Sequence, residues 1–360
     1  MAAASTSLGL AQAAGQAGGE PGQGPRAGRT LRFRQAVVTA TAALAGPTEG
    51  RGPLGGAFDE VLPDHLLGEA SWERAERKML ARAVERLAAK EGLRVTDYDV
   101  LLAGDLLNQT VASSYAARDL DLPFLGLFNA CATFAEGLGL AAALCELGAC
   151  RRAVVAVSSH HDAAERQYRF PTELGNQRPP TAQWTATGAV AVAVAREEAA
   201  PALARLEAFT PGRVVDLGVR DPFHMGAAMA PAAADTLAVH LGDLGRGPDA
   251  YDAVCTGDLG RVGLALLRRL LREAGVDLPH LEDAGVQLYD PRHQDVHAGG
   301  SGAACSALVF AARLLPRLRA GGRRVCLCGT GSLHSLTTYQ QGESIPGIAH
   351  AVSLAAVEAS

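Results

Sequence analysis

The chain repeats its own order of elements. An apolar, strand-like run ends in Gly-Asp-Leu and opens a helical pattern twice, as AGDLLNQT over 103–110 and as TGDLGRVG over 256–263. The two Gly-Asp steps, at Gly104 and Gly257, lie 153 positions apart. Each copy closes in the same way, with a small-residue helix opening followed by a strand: NACATF before AVVAVSSH, and GGSGAACSA before VCLCGTGS. A shared tripeptide is weak evidence, whereas shared order across the chain restricts the fold to two related α/β units. The reading divides the chain into an Ala/Gly-rich extension over 1–28, a first half over 29–200 and a second half over 201–360.

Strand patterns fall at 33–42, 99–102, 123–128, 153–158 and 186–195, then at 203–210, 253–256, 286–289 and a closing 324–328. Helical patterns fill the intervals at 72–90, 109–120 and 131–147, then at 225–241, 262–274 and 302–319. Such alternation predicts layers with mostly parallel strands. The first 28 residues hold almost nothing that could form a core and read as a disordered extension without the basic start and solid apolar run of a signal peptide. At 48% hydrophobic and 20% charged, the remainder is globular. A net charge of −5 leaves no basic footprint for nucleic acid, and no apolar run is long enough to span a bilayer.

Seven cysteines, an odd number without paired spacing, argue against a disulfide framework. Cys326 and Cys328 sit on one strand with no His or Cys partners, so they read as core, and no metal site or cofactor is expected. Cys131 is different. It lies where the strand over 123–128 gives way to a helix, and a helix N-terminus favours a thiolate. A nucleophile also needs a base, yet the two later strand ends that would supply one offer Gly257 and Gly299. Cys131 therefore reads first as a small buried side chain that lines a pocket.

A second candidate region follows the strand over 153–158, where α/β folds place their sites. It gathers Ser158, Ser159, His160, Arg166 and Arg169. Gly299, Gly300 and Ser301 permit close backbone approach to a ligand without matching a dinucleotide or P-loop fingerprint. His297, two residues before Gly299, faces either the pocket or its rim. His224 reads as surface or inter-subunit, and Asn108, Gln109 and Thr110 as capping and interface residues.

The duplicated order with a cysteine after the third strand resembles the thiolase superfamily. More closely, residues 29–357 resemble the SpoVAD family of endospore-forming bacteria, through GPLGGAFDE, WERAERKML, LAGDLLNQTVASSY, SSHHDAAERQYRFPTELGNQRP, DPFHMGAAMAPAAADT, HAGGSGAACSA and QQGESIPGIAHAV. The resemblance implies a thiolase-like fold, two duplicated βαβαβ-type halves layered α-β-α-β-α, and a homodimer. It also implies a role without catalysis: binding dipicolinic acid or its calcium chelate at the ancestral active site, beside membrane-embedded SpoVA partners at the spore inner membrane. The planar dianion would suit an arginine fork from Arg166 or Arg169 and an apolar slot for its ring. Thiolase-like acyl transfer through Cys131, and a scaffold with a vestigial pocket, remain as alternatives.

Overall fold

Residues 188–196 alternate valine with alanine, and the alternation sorts the two sides of a sheet. In the computed structural model, which describes residues 28–168 and 178–357, this strand (β5, Gly188–Arg196) sends Val190, Val192 and Val194 into one apolar cluster and Ala189, Ala191 and Ala193 into another. Both faces are buried, which is why the run is apolar throughout. Its partners in the first half are β1 (Ala36–Ala45), β2 (Val100–Gly104), β3 (Phe124–Gly126) and β4 (Arg152–Ser159). The second half supplies β6 (Ala204–Thr210), β7 (Ala253–Thr256), β8 (Leu281–Asp283), β9 (Arg324–Ser332) and β10 (Gly347–Ala355).

The strand order is β3-β2-β4-β5-β1 in the first half and β8-β7-β9-β10-β6 in the second, with β1 and β6 joined by a short antiparallel pairing. Both orders follow the same permutation and the same directions. The pairs β2–β3, β2–β4, β7–β8 and β7–β9 are parallel, while β4–β5, β1–β5, β9–β10 and β6–β10 are antiparallel. The expectation of mostly parallel strands is thereby corrected. The segments after β4 and β9 carry short helices, α4 (His161–Tyr168) and α8 (Leu336–Gln340), yet in each case the next strand returns beside the one before it in the opposite direction.

Helices α1 (Trp72–Glu91) and α2 (Val111–Leu120) pack together, with α1 against β1, β4 and β5; α5 (Met225–Leu244) and α6 (Gly260–Glu273) do the same on the second sheet, with α5 against β9, β10 and β6. Between the strands of the two halves lies α3 (Thr133–Glu146), which touches both sets, and beside it α7 (Ala303–Val309) packs on β5, β4 and β1. The result is the layered α-β-α-β-α arrangement. Helix α1 shows how sequence sets each boundary: the Ser71 hydroxyl accepts from Arg74 N, Gly92 closes the helix at φ +68°, and Met79, Leu80, Ala83, Val84 and Leu87 form its buried stripe. Cys326 and Cys328 point from β9 into the outer cluster with α5, and all seven cysteines are buried and unbridged.

Four expected elements change. The strand placed at 286–289 is the helical turn Ala284–Gln287, because the Asp283 carboxylate accepts from Val286 N and ends the strand at its own position. The strand expected to close the chain at 324–328 runs on to Ser332, and β10 follows it. The helix over 302–319 is three pieces, α7, a π-turn at Phe310–Leu314 and a last turn at Leu315–Arg319, since Pro316 cannot donate to the preceding turn. Before α2, Gln109 and Thr110 adopt positive φ in a separate turn. Of the expected N-terminal extension, residues 1–27 lie outside the described residues.

Candidate functional site

Strand β3 leads through Leu127 and Phe128 into a tight turn at Ala130–Ala132 that starts α3. Thr133 Oγ1 donates to Ala130 O at 2.7 Å and accepts from Asn129 N at 3.1 Å, and Ala130 is held at φ +49°. A non-glycine residue in that region costs conformational energy, so the turn is fixed by its surroundings. It delivers Cys131 to the wall of a cavity of about 250 Å³. Phe128, Tyr168 and Met225 supply apolar lining, and Ser301, Ser332, Ser335, Thr338 and His334 supply polar groups.

Cys131 Sγ lies 3.7 Å from Ser301 Oγ, and that hydroxyl donates to Asp258 Oδ2 at 2.8 Å. The same carboxylate accepts from Gly302 N at 3.1 Å and, through Oδ1, from Thr330 Oγ1 at 2.7 Å. Gly302 sits at φ +106° with Ser159 Oγ 2.7 Å from where a Cβ would lie, so only glycine serves there. Burial pushes the Cys131 thiol well above its ordinary value, and the Asp258 carboxylate pushes it further in the same direction. Burial also raises Asp258, against the donors that hold it down. This is the reverse of thiolate activation, which needs a nearby cation or an adjacent base.

The expected vacancy at the two strand ends is therefore half corrected. Gly257 and Gly299 carry no side chains, but the residue after the first and the second residue after the other, Asp258 and Ser301, face the cysteine. Asp258 was legible as the second copy of the duplicated Gly-Asp step. Its counterpart Asp105 is also buried, accepting from Leu107 N, Ser113 N and Ser113 Oγ at the start of α2.

The other residues singled out from sequence are scattered. Ser159 is buried beneath the cavity, donating to Ala186 O and accepting from Ala304 N, so it ties β4 to α7. His160 is buried with Nε2 2.7 Å from His65 O. Arg166 does not reach the cavity: Ala164 and Tyr168 of α4 line it, and Arg166, two positions from each, faces the other way. There it pairs with Glu73 over the Trp72 ring. Arg169 lies outside the described residues. His297, at φ +48°, pairs with Asp295 at 3.2 Å and is not part of the cavity wall. Gly299 and Gly300 shape the backbone that pairs Gly300–Ser301 with Trp184–Thr185. Cys131 and Ser301 are thus brought together, and Asp258, Tyr168 and His334 join them without having been selected from sequence.

Comparison with solved structures gives the fold. OleA of Xanthomonas campestris, in a structure with cerulenin, superposes with a TM-score of 0.59 at 15% identity, covering 92% of this chain and 100% of that one. The 3-oxoacyl-(acyl carrier protein) synthase III, FabH, of Xanthomonas oryzae pv. oryzae does so with 0.56 at 17% identity, covering 90% and 100%. These thiolase-like neighbours share the layered architecture. A stage V sporulation protein AD of Bacillus subtilis (strain 168) is 46% identical over 318 residues, spanning 88% of this chain and 93% of that protein. The family model for stage V sporulation protein AD (SpoVAD) matches residues 27–355, and on that match and this relative the chain belongs to the SpoVAD family of sporulation proteins.

Proposed function

We propose that the chain is a dipicolinate-binding subunit without catalytic activity, working with membrane-embedded SpoVA partners to move dipicolinate, with calcium, into the developing spore, and linked to its release in germination. One observation carries the reading: a cavity of single-ring size stands where a thiolase-like fold would hold its nucleophile, and burial together with Asp258 keeps its thiol protonated. The faces of Phe128 and Tyr168 suit a pyridine ring. The hydroxyls of Ser301, Ser332, Ser335 and Thr338 and the His334 ring suit its carboxylates, while Arg166, one of the two arginines expected to supply a fork, is turned away. None of the described helices is long and apolar enough to cross a membrane, which agrees with a subunit resting on membrane partners.

Calorimetric titration of the purified chain with dipicolinate, with and without calcium, tests the proposal. Cys131→Ala removes one small group and weakens binding by a factor of a few, about 1 kcal/mol or less. Cys131→Trp fills the slot and abolishes binding in a protein that still folds. Absence of binding heat in the unaltered chain overturns the reading. So does an acyl adduct on Cys131, seen by intact mass after incubation with acyl-CoA, because it restores acyl transfer.

A further inference from the structure

Three side chains outside the cavity converge on one point. His65 comes from the loop before α1, His160 from the residue after β4, and Asp162 from the first turn of α4. Their donor atoms all lie within 4.8 Å of one another. His65 Nδ1 is 3.6 Å from Asp162 Oδ2, and His160 Nδ1 is 3.9 Å from the same oxygen.

His160 decides how this cluster is read. Its side chain is only 1% exposed, and Nε2 faces the His65 carbonyl, which can only accept. The ring proton therefore sits on Nε2, leaving the Nδ1 lone pair aimed at His65 and Asp162. Nδ1 is buried without a hydrogen bond, and so is His65 Nδ1. A neutral imidazole whose far N–H is fixed by a backbone carbonyl is how metal-ligating histidines are oriented.

We propose that His65, His160 and Asp162 form a site for a borderline divalent cation of the zinc class, with water as the fourth ligand. A tetrahedral zinc site with bonds of about 2.0–2.1 Å brings its donors to roughly 3.3–3.5 Å from one another. The two histidine-to-carboxylate separations need a contraction of only a few tenths of an ångström, and the histidine-to-histidine separation, within 4.8 Å, closes by at most about 1.5 Å. Two imidazole nitrogens and one carboxylate suit zinc-class ions, whereas calcium and magnesium seek oxygen. His65 and Asp162 are each about one-third exposed, which gives the ion an entry path and leaves room for the water. Bound there, the ion pins the loop before α1 to the start of α4, the helix whose Ala164 and Tyr168 form part of the cavity wall.

The test uses the full chain after dialysis against a chelator. Dipicolinate is left out, because it chelates divalent cations itself. Zinc titrated in competition with a chromophoric chelator binds one ion per chain and raises the unfolding midpoint. Cobalt in its place gives the visible bands of tetrahedral coordination without the near-ultraviolet thiolate band. His65→Ala and Asp162→Asn, at partly exposed positions, fold normally without metal, yet each loses about tenfold or more in affinity. Millimolar calcium does not compete. Failure of the unaltered chain to bind zinc stoichiometrically, undiminished binding in both variants, a thiolate band with cobalt, or displacement by calcium each overturns the proposal.

Discussion

Cys131 and Asp258 are coupled through one hydroxyl, and the coupling makes the thiol's reactivity adjustable. Asp258 disfavours the thiolate by its charge, so Asp258→Asn moves the thiol down toward its ordinary range. Alkylation of Cys131 by iodoacetamide, followed site by site by mass spectrometry, becomes faster at a fixed mildly alkaline pH in that variant. An unchanged rate means that burial alone governs the thiol. Glu49 offers a second measurement. It is fully buried, takes a hydrogen bond from the Tyr289 hydroxyl at 2.5 Å, and is pushed up to about 6 by burial. Folding thus favours the protonated acid. The stability this contributes is present below the unfolded value of 4.5 and is lost as pH rises through about 6. Glu49→Gln mimics the protonated form, so it matches the unaltered chain near about pH 4.5 and is more stable by up to about 2 kcal/mol above about pH 7, read by denaturant titration at both. The sequence exposed Cys131 because the strand-to-helix join around it is local. It hid the arginine problem, because the face on which Arg166 leaves α4 depends on where that helix docks.

Among the elements, the alanine and glycine content acquires a physical meaning that composition alone did not carry. Helix α3 is sandwiched between two sheets, and a Cβ added to Gly139 would stand 2.3 Å from the Phe209 ring of β6. Small residues here set the spacing of the layers. Gly139→Ala therefore forces the ring or the helix aside and destabilises the chain by about 1–3 kcal/mol, measured as a lower denaturation midpoint. Elements with strong periodicity, such as α1 and β5, were legible to within a few residues. The misplaced ones share a cause. At 286–289, and in the break at Phe310–Leu314, the deciding contacts come from Asp283 or from one proline rather than from a repeating pattern. The strand β10 is inserted between β9 and β6, so nothing in its neighbours along the chain announces it.

At the level of the whole molecule, the two copies of one strand order meet along β1 and β6 and leave β3 and β8 at the two ends. These ends differ. Leu281 and Asp283 of β8 are buried, whereas Leu125 of β3 is exposed, with exposed Tyr115 and Phe128 near it in sequence. An apolar strand edge invites pairing with another strand, so β3 is where a homodimer of this chain is expected to form. Light scattering at micromolar concentration gives twice the chain mass for the unaltered protein and shifts toward the monomer for Leu125→Lys. A monomer in both cases removes the prediction. The duplication itself was legible from Gly104 and Gly257, but the antiparallel returns were not, because a short helix between strands looks the same in sequence whichever way the next strand runs.

Cys131 and Ser301 belong to different copies of the duplicated unit, and the cavity opens between them. A guest held there grips both jaws of a vice, one jaw from each copy of the unit. Unfolding either copy must first release the guest, so occupancy registers as resistance to heat throughout the chain. At a hundredfold excess over Kd that resistance amounts to about 2.7 kcal/mol.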